Sequence, residues 1–247
     1  MRNIWTIAKR EYDHYFVSPI AYVVAFMILL VLGILFAADM LYFTQNSFQL
    51  YGYTPDASRI VSPFAFLLVL STPALTMRLL ADETRMGTME LLLTAPVRDF
   101  ELIVGKWLGG ILFMLTLIVV SLIYPLILHN LVDPGIDQKL LLSSYLGLIL
   151  LAAAFLALGV GISAIFSNQI AAFFATLGLL VFLWWLIGFP ATIIPTGADV
   201  FNYLNMKAHF DKLISGSIYF ADVIYYLSMI ALGLFTGTMA IEIRRWR

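Results

Sequence analysis

Six apolar stretches, each about long enough to cross a lipid bilayer, fix the environment of this chain before any motif is considered. They cover about Pro19–Phe43, Ile60–Arg78, Trp107–His129, Leu140–Phe166, Ile170–Ile194 and Asp222–Ile243. A hydrocarbon core about 30 Å thick takes roughly 20 helical residues. No Asp, Glu, Lys, Arg or His lies near the middle of any run; Asp39, Arg78, His129, Asp222 and Glu242 touch only their ends. The chain is 62% hydrophobic and 12% charged, against about 25% charged in soluble domains. That leaves too little polar surface to cover a water-soluble core. A net charge of −1 offers no basic footprint for nucleic acid.

Lys and Arg in the short connections set the orientation. Arg2, Lys9 and Arg10 precede the first run, Arg78, Arg85, Arg98 and Lys106 follow the second, and Arg244, Arg245 and Arg247 follow the sixth. With six spans these ten cations share one side. Arg59, Lys139, Lys207 and Lys212 share the other. The larger group marks the cytoplasm, with both ends of the chain there.

The first run is not read as a cleaved signal, because a polar segment with Glu11 and Asp13 comes first and the apolar run exceeds the roughly 7–15 residues of a signal's apolar region. The leading segment reads as an amphipathic helix. Ile4, Trp5, Ala8, Tyr12, Tyr15 and Phe16 fall on one face, and Arg2, Thr6, Lys9, Arg10 and Asp13 on the other. Trp and Tyr favour the headgroup level, which places this helix in the inner interface before Pro19 turns the chain into the membrane.

Several chemistries are excluded. Without cysteine there is no disulfide, thiolate metal site or cysteine nucleophile. Gly105-Lys106 is followed by Trp107 and lacks the earlier glycine of a phosphate-binding loop, so ATP is not bound that way. His14, His129 and His209 are far apart in sequence. Ser121 and Ser163 lie within apolar runs with no accompanying base. Ion-coupled pumps usually carry ionisable groups at membrane depth, and these runs offer none at their midplanes. Gly105-x-x-x-Gly109, Gly159-Val160-Gly161 and Gly233-x-x-x-Gly237 let helices approach closely.

Charge is concentrated instead in ADETRMGTMELLLTAPVRDFELIVGKWLGG, Ala81 to Gly110. Met86, Met89 and Leu93 recur at helical spacing, while Asp82, Glu83, Arg85 and Glu90 supply polar sides. Thr94-Ala95-Pro96 breaks that helix. A second helix starts near Asp99 and runs into the third span. Leu91-Leu92-Leu93 exceeds what one narrow face needs, and an apolar patch rimmed by charge suits a protein contact. An ordinary solvated helix on the membrane is the alternative.

Glu83-x-Arg85-x-Gly87-Thr88-x-Glu90-Leu91-Leu92-Leu93-Thr94-x-Pro96, followed by Glu101 and Gly105-Lys106, resembles the cytoplasmic signature of ABC-2 type permeases, the membrane subunits of ATP-binding-cassette transporters. The resemblance covers nearly the whole chain. A second stretch, Tyr203-Leu204-Asn205-Met206-Lys207-Ala208-His209-Phe210 with Gly216 and Asp222-Val223-Ile224-Tyr225-Tyr226, is similar to the gliding-motility-associated subclass, although Asn205-Met206-Lys207 stands where that subclass has a Ser-Pro-like turn.

The resemblance implies an all-α polytopic membrane protein in a single domain over 1–247. It has six transmembrane helices, an interfacial helix (1–18), a cytoplasmic coupling segment (81–106) between spans two and three, and an external segment (195–221) with re-entrant helices before span six. It implies that Glu83, Arg85, Gly87, Thr88, Glu90, Leu91, Leu92, Pro96, Glu101, Gly105 and Lys106 form the surface and corner that dock an ATPase subunit. His209, Phe210, Gly216 and Asp222 become candidates for an outer gate, with His209 read first as a surface residue. The implied partners are a nucleotide-binding ATPase, a second permease subunit, identical or related, and membrane lipid. No cofactor is implied for this chain; ATP and Mg belong to the partner. The implied activity is outward transport across the inner or plasma membrane, with lipids, lipid-linked glycans or other bulky molecules compatible with a path lacking fixed charge. An ion-coupled secondary transporter and a scaffold without an ATPase are the competing readings.

Overall fold

The computed structural model describes residues 2–46, 56–87, 97–132, 135–193 and 198–245, apart from the side chains of Arg2 and Thr192. All regular structure among these is helical. In chain order the helices are α1 (Arg2–Tyr15), α2 (Pro19–Gln45), α3 (Ser58–Thr76), α4 (Ala81–Arg85), α5 (Asp99–Ser121), α6 (Ile123–Leu131), α7 (Gln138–Ile165), α8 (Gln169–Trp184), α9 (Phe189–Ile193), α10 (Ala198–Leu204), α11 (Met206–Ile214) and α12 (Phe220–Arg245). Six segments are long and apolar enough to span a membrane: Pro19–Gln45, Ser58–Arg85, Asp99–Leu131, Gln138–Ile165, Gln169–Ala191 and Phe220–Arg245.

Two apolar runs that read as single helices are interrupted. The third breaks at Leu122, between α5 and α6. Pro125 has no N–H with which to bond the Ser121 carbonyl four residues back, and Ser121 turns its hydroxyl onto the Ile118 carbonyl at 2.7 Å. The fifth breaks at Trp185, whose backbone leaves the helical region (φ −122°, ψ −52°), and continues through a 3-10 turn at Leu186–Gly188 into α9.

Helix α7 is the centre of the bundle. In its most apolar stretch 78% of residues are buried, against 22% for each of the first and fifth spans. Lipid is as apolar as leucine, so association here depends on close van der Waals packing. Small residues make that possible. A Cβ placed on Gly233 would lie 2.4–2.6 Å from the main chain of Ala157 and Leu158, so the backbones of α7 and α12 touch. Gly161 meets the Gly233 carbonyl from the other side, and Gly159 sits against Thr76 of α3. Gly161 of the fourth run and Gly233 and Gly237 of the sixth therefore pack against each other within one chain.

The glycines of the third run have a different partner. Gly105 faces Ile7 and Gly109 faces Ala8 and Glu11, with Tyr12 bonded to Thr116 further along. Helix α1 thus runs beside the first half of α5 in the same direction. Its buried stripe is Ile4, Ile7, Ala8, Glu11 and Tyr15, with Ala8, Glu11 and Tyr15 the most enclosed. This differs from the apolar face read in the sequence. Trp5 and Phe16 are exposed, while Ile7 and the acidic Glu11 take the inward positions.

The three basic-rich segments meet at one end of the bundle. Arg245 at the end of α12 pairs with Asp99 at 2.6 Å. Arg244 donates to Thr84 Oγ1 at 2.8 Å and to the Ile165 carbonyl at 3.0 Å. At the opposite end, α11 packs on the start of α7, where Leu213 covers Gly147 and Ser144 donates to the Ile214 carbonyl.

Candidate functional site

The charged stretch begins where α3 ends and the chain turns into α4. The first N–H groups of a helix have no partner within it. Here Ser163 of α7 supplies one: its hydroxyl accepts from Leu80 N at 3.2 Å and Ala81 N at 3.1 Å. This serine, noted in the sequence for its depth, fixes the start of the charged segment to the central helix. Helix α4 is short. Gly87, at φ +72°, takes the left-handed conformation that ends it.

Glu83 and Lys106 are brought together. The Lys106 ammonium, 1% exposed, lies 2.8 Å from Glu83 Oε1 and 2.9 Å from Glu11 Oε1. One cation from α5 therefore joins a carboxylate of α1 to a carboxylate of α4. Arg10 adds a contact to Glu11 at 3.2 Å. Burial raises the Glu11 pKa, but the Lys106 and Arg10 charges and hydrogen bonds outweigh it, and the net effect holds Glu11 below the ordinary carboxylate range. Breaking such a buried pair leaves an uncompensated charge, which makes the joint selective for one arrangement of the three helices.

The other residues read as docking positions divide between packing and surface. Arg85 is mostly exposed and pairs with Asp82 at 3.1 Å. Glu101 sits on the first turn of α5, accepting from Arg98 N at 3.2 Å and Asn3 Nδ2 at 3.1 Å. Gly105 is a contact surface for α1. Thr88, Glu90, Leu91, Leu92 and Pro96 lie outside the described residues. In the sequence Glu11 reads only as part of a polar leading segment, not as a buried ion partner. The available signal was its place at helical spacing from Ile4, Ile7 and Ala8, an acid interrupting an apolar stripe.

The second cluster is at the opposite end. His209 is 2% exposed, not the surface histidine expected. Its ring nitrogens face two acceptors: Nδ1 meets Asp222 Oδ1, and Nε2 meets the Tyr203 carbonyl at 2.7 Å. A carbonyl only accepts, so Nε2 carries a hydrogen. Satisfying both contacts takes two protons shared among the ring and the Asp222 carboxyl. Tyr225 stacks on the ring with centroids 4.1 Å apart, and its hydroxyl donates to the Leu204 carbonyl at 2.7 Å. Tyr226 donates to the Met206 carbonyl at 2.9 Å. Phe210 is buried against Trp184, centroids 5.6 Å apart. Gly216, at φ +87°, closes α11 before α12. Lys207, Asp211 and Lys212 lie on the outer side of α11, while the helix turns its other face, with Met206, His209, Phe210 and Leu213, into the bundle.

Ionisable side chains are thus buried at both ends of the bundle, Lys106 at one and Asp222 at the other. Among the described residues no group of three or more His, Cys, Asp or Glu side chains could hold a metal ion. Residues 5–241 match the family described as ABC-2 family transporter protein. No curated protein matches the chain.

Proposed function

This chain belongs to the ABC-2 family of transporter proteins, and from that premise we propose that it exports its substrate outward using ATP hydrolysed by a separate nucleotide-binding subunit docked on residues 81–106. The family assignment makes it a multi-pass membrane permease subunit of an ABC transporter, a component of transport rather than a catalyst. The family also implies association with an ABC ATPase. The direction, the docking surface and a paired second permease subunit are the proposal.

The observation that supports it most is the Glu11–Lys106–Glu83 joint. A displacement imposed on α4 passes through Glu83 to Lys106 on α5 and through Glu11 to α1. Helix α5 continues into the third span without a break at that point. ATP-driven closure of the partner would then move Glu83–Leu93 as a lever and open a path toward the far end, where His209, Phe210 and Asp222 close the mouth. The work must come from different contacts in the two states. In this reading α1, residues 81–106 and the end of α12 face the cytoplasm at the inner or plasma membrane, following the bias of Lys and Arg.

Extraction of the tagged protein from its native membrane in mild detergent tests the proposal. A stoichiometric P-loop ATPase co-purifies, and Glu90→Ala with Leu91→Ala removes it while insertion stays normal. A folded protein that emerges alone, with no ATPase activity in the extract, overturns it in favour of an ion-coupled transporter or a scaffold.

A further inference from the structure

A cavity of about 450 Å³ opens beside the joint, between the α1–α2 elbow and the α3–α4 turn. Its volume falls within the roughly 300–1,000 Å³ of ligand pockets. Its lining is graded. Arg10 and Asp13 of α1, Arg78 from the α3–α4 turn, and Asp82 and Glu83 of α4 form the charged part. Ile20 and Ala21, in the first turn of α2, and Ala74 and Leu75, in the last turn of α3, form the apolar part. Since α2 enters and α3 leaves the membrane here, the apolar part is the deeper one. A charged floor opening onto an apolar wall fits an amphiphile standing in the leaflet.

The charges also indicate the headgroup. Both signs are present, so a purely anionic ligand would meet the carboxylates and a purely cationic one the guanidiniums. The side chains of Arg78 and Asp13 have no hydrogen-bond or ion-pair partner among the described residues, although the Asp13 carbonyl accepts from Phe16 N. Asp82 is already paired, its buried Oδ1 lying 3.1 Å from Arg85, which leaves Asp13 as the open carboxylate. A guanidinium with no internal partner suits a phosphate, and exposed carboxylate oxygens suit the three donors of a primary ammonium. We infer that this cavity binds a lipid whose headgroup carries both a phosphate and a primary amine, such as phosphatidylethanolamine. The phosphate sits at Arg78, the ammonium at Asp13, and the acyl chains rise past Ala21 and Ala74. The cavity also touches Glu11, Glu83 and Lys106 of the joint, but its lipid reading needs no assumption about the transported substrate.

Native mass spectrometry of the full-length protein in detergent, titrated separately with phosphatidylethanolamine, phosphatidylcholine and phosphatidylglycerol, tests this. Phosphatidylethanolamine is expected to be retained about tenfold better than the other two, about 1.4 kcal/mol in preference. Arg78→Gln should weaken retention of all three lipids, which share the phosphate, and Asp13→Asn should remove most of the preference for phosphatidylethanolamine; neither should change the thermal midpoint in lipid-free detergent, since neither side chain has a partner among the described residues. Equal retention of phosphatidylethanolamine and phosphatidylcholine would overturn the amine recognition. Better retention of phosphatidylglycerol, or unchanged retention in both variants, would overturn the site itself.

Discussion

Replacing Lys106 with methionine removes one charge and almost no volume. In the native chain the ammonium is 1% exposed and lies under 3 Å from two carboxylates, whose side chains are 8% and 18% exposed. Loss of one member of a buried pair costs about 3–5 kcal/mol, because the remaining charge is stranded. Glu83 retains partial access to water, and Arg10 still faces Glu11 at 3.2 Å, which argues for the lower figure, about 3 kcal/mol. At roughly 2–4 °C per kcal/mol for a chain of this size, Lys106→Met should lower the thermal midpoint by about 6–12 °C. The assay is thermal unfolding in one fixed detergent, followed by intrinsic tryptophan fluorescence. The double variant Lys106→Met, Glu11→Gln removes the most enclosed stranded charge and should recover more than half of the loss, since apolar or neutral replacement of a whole buried pair is often tolerated. A midpoint for Lys106→Met within about 2 °C of wild type, less than 1 kcal/mol on the same scale, would refute the reasoning. A double variant no better than the single would refute it equally.

Three more outcomes follow from the same structure. Gly233→Leu forces a side chain into the main chain of α7, which cannot rotate away as a side chain would; loss of the folded, monodisperse species in detergent chromatography is expected, whereas Gly178→Leu, with open space at its Cβ, should behave as wild type. Asp222→Asn keeps the shape of the His209 cluster but removes the carboxylate facing His209 and Lys212; transport should fall several-fold and hydrogen exchange across α11 should quicken, while protection of α1 stays unchanged. Acid should weaken the Glu11–Lys106 joint: Glu11 has a depressed pKa in the fold, so its contribution is fully present above the unfolded carboxyl value of about 4.3 and is lost as pH falls through the lower folded value. The thermal midpoint of the wild type should drop below about pH 4.5 more steeply than that of Glu11→Gln.

The sequence made some features legible and hid others for physical reasons. Spans announced themselves because bilayer thickness sets a length that no soluble core requires, and the described helices place all six where the apolar runs are. The gathering of α1, the charged stretch and the end of α12 at one end was legible in the Lys and Arg count, and the Arg245–Asp99 contact realises it. Breaks at Leu122 and Trp185 were not read, because hydropathy is blind to backbone geometry, the missing N–H of Pro125 behind the first included. Glu11 and Lys106 are separated by 95 positions; nothing local tells a charge that faces water from one that faces an ion partner on another helix. His209 failed for a related reason. Its neighbours Lys207, Asp211 and Lys212 are polar, and only the approach of α12 with Asp222 and Tyr225 shows that the ring lies on the inward face. The docking positions Thr88, Glu90, Leu91 and Leu92 rest on the sequence pattern and the family.

The chain contains no cysteine, which makes one site-specific measurement direct. A single cysteine introduced as Thr88→Cys is reacted with a membrane-impermeant maleimide, in sealed vesicles of each orientation, with and without the ATPase subunit bound. The account predicts labelling from the cytoplasmic face alone, slowed at least tenfold when the ATPase is present and restored when it is stripped away. Labelling from the outer face, or a rate indifferent to the ATPase, would contradict the claim that residues 81–106 are where this permease receives its energy.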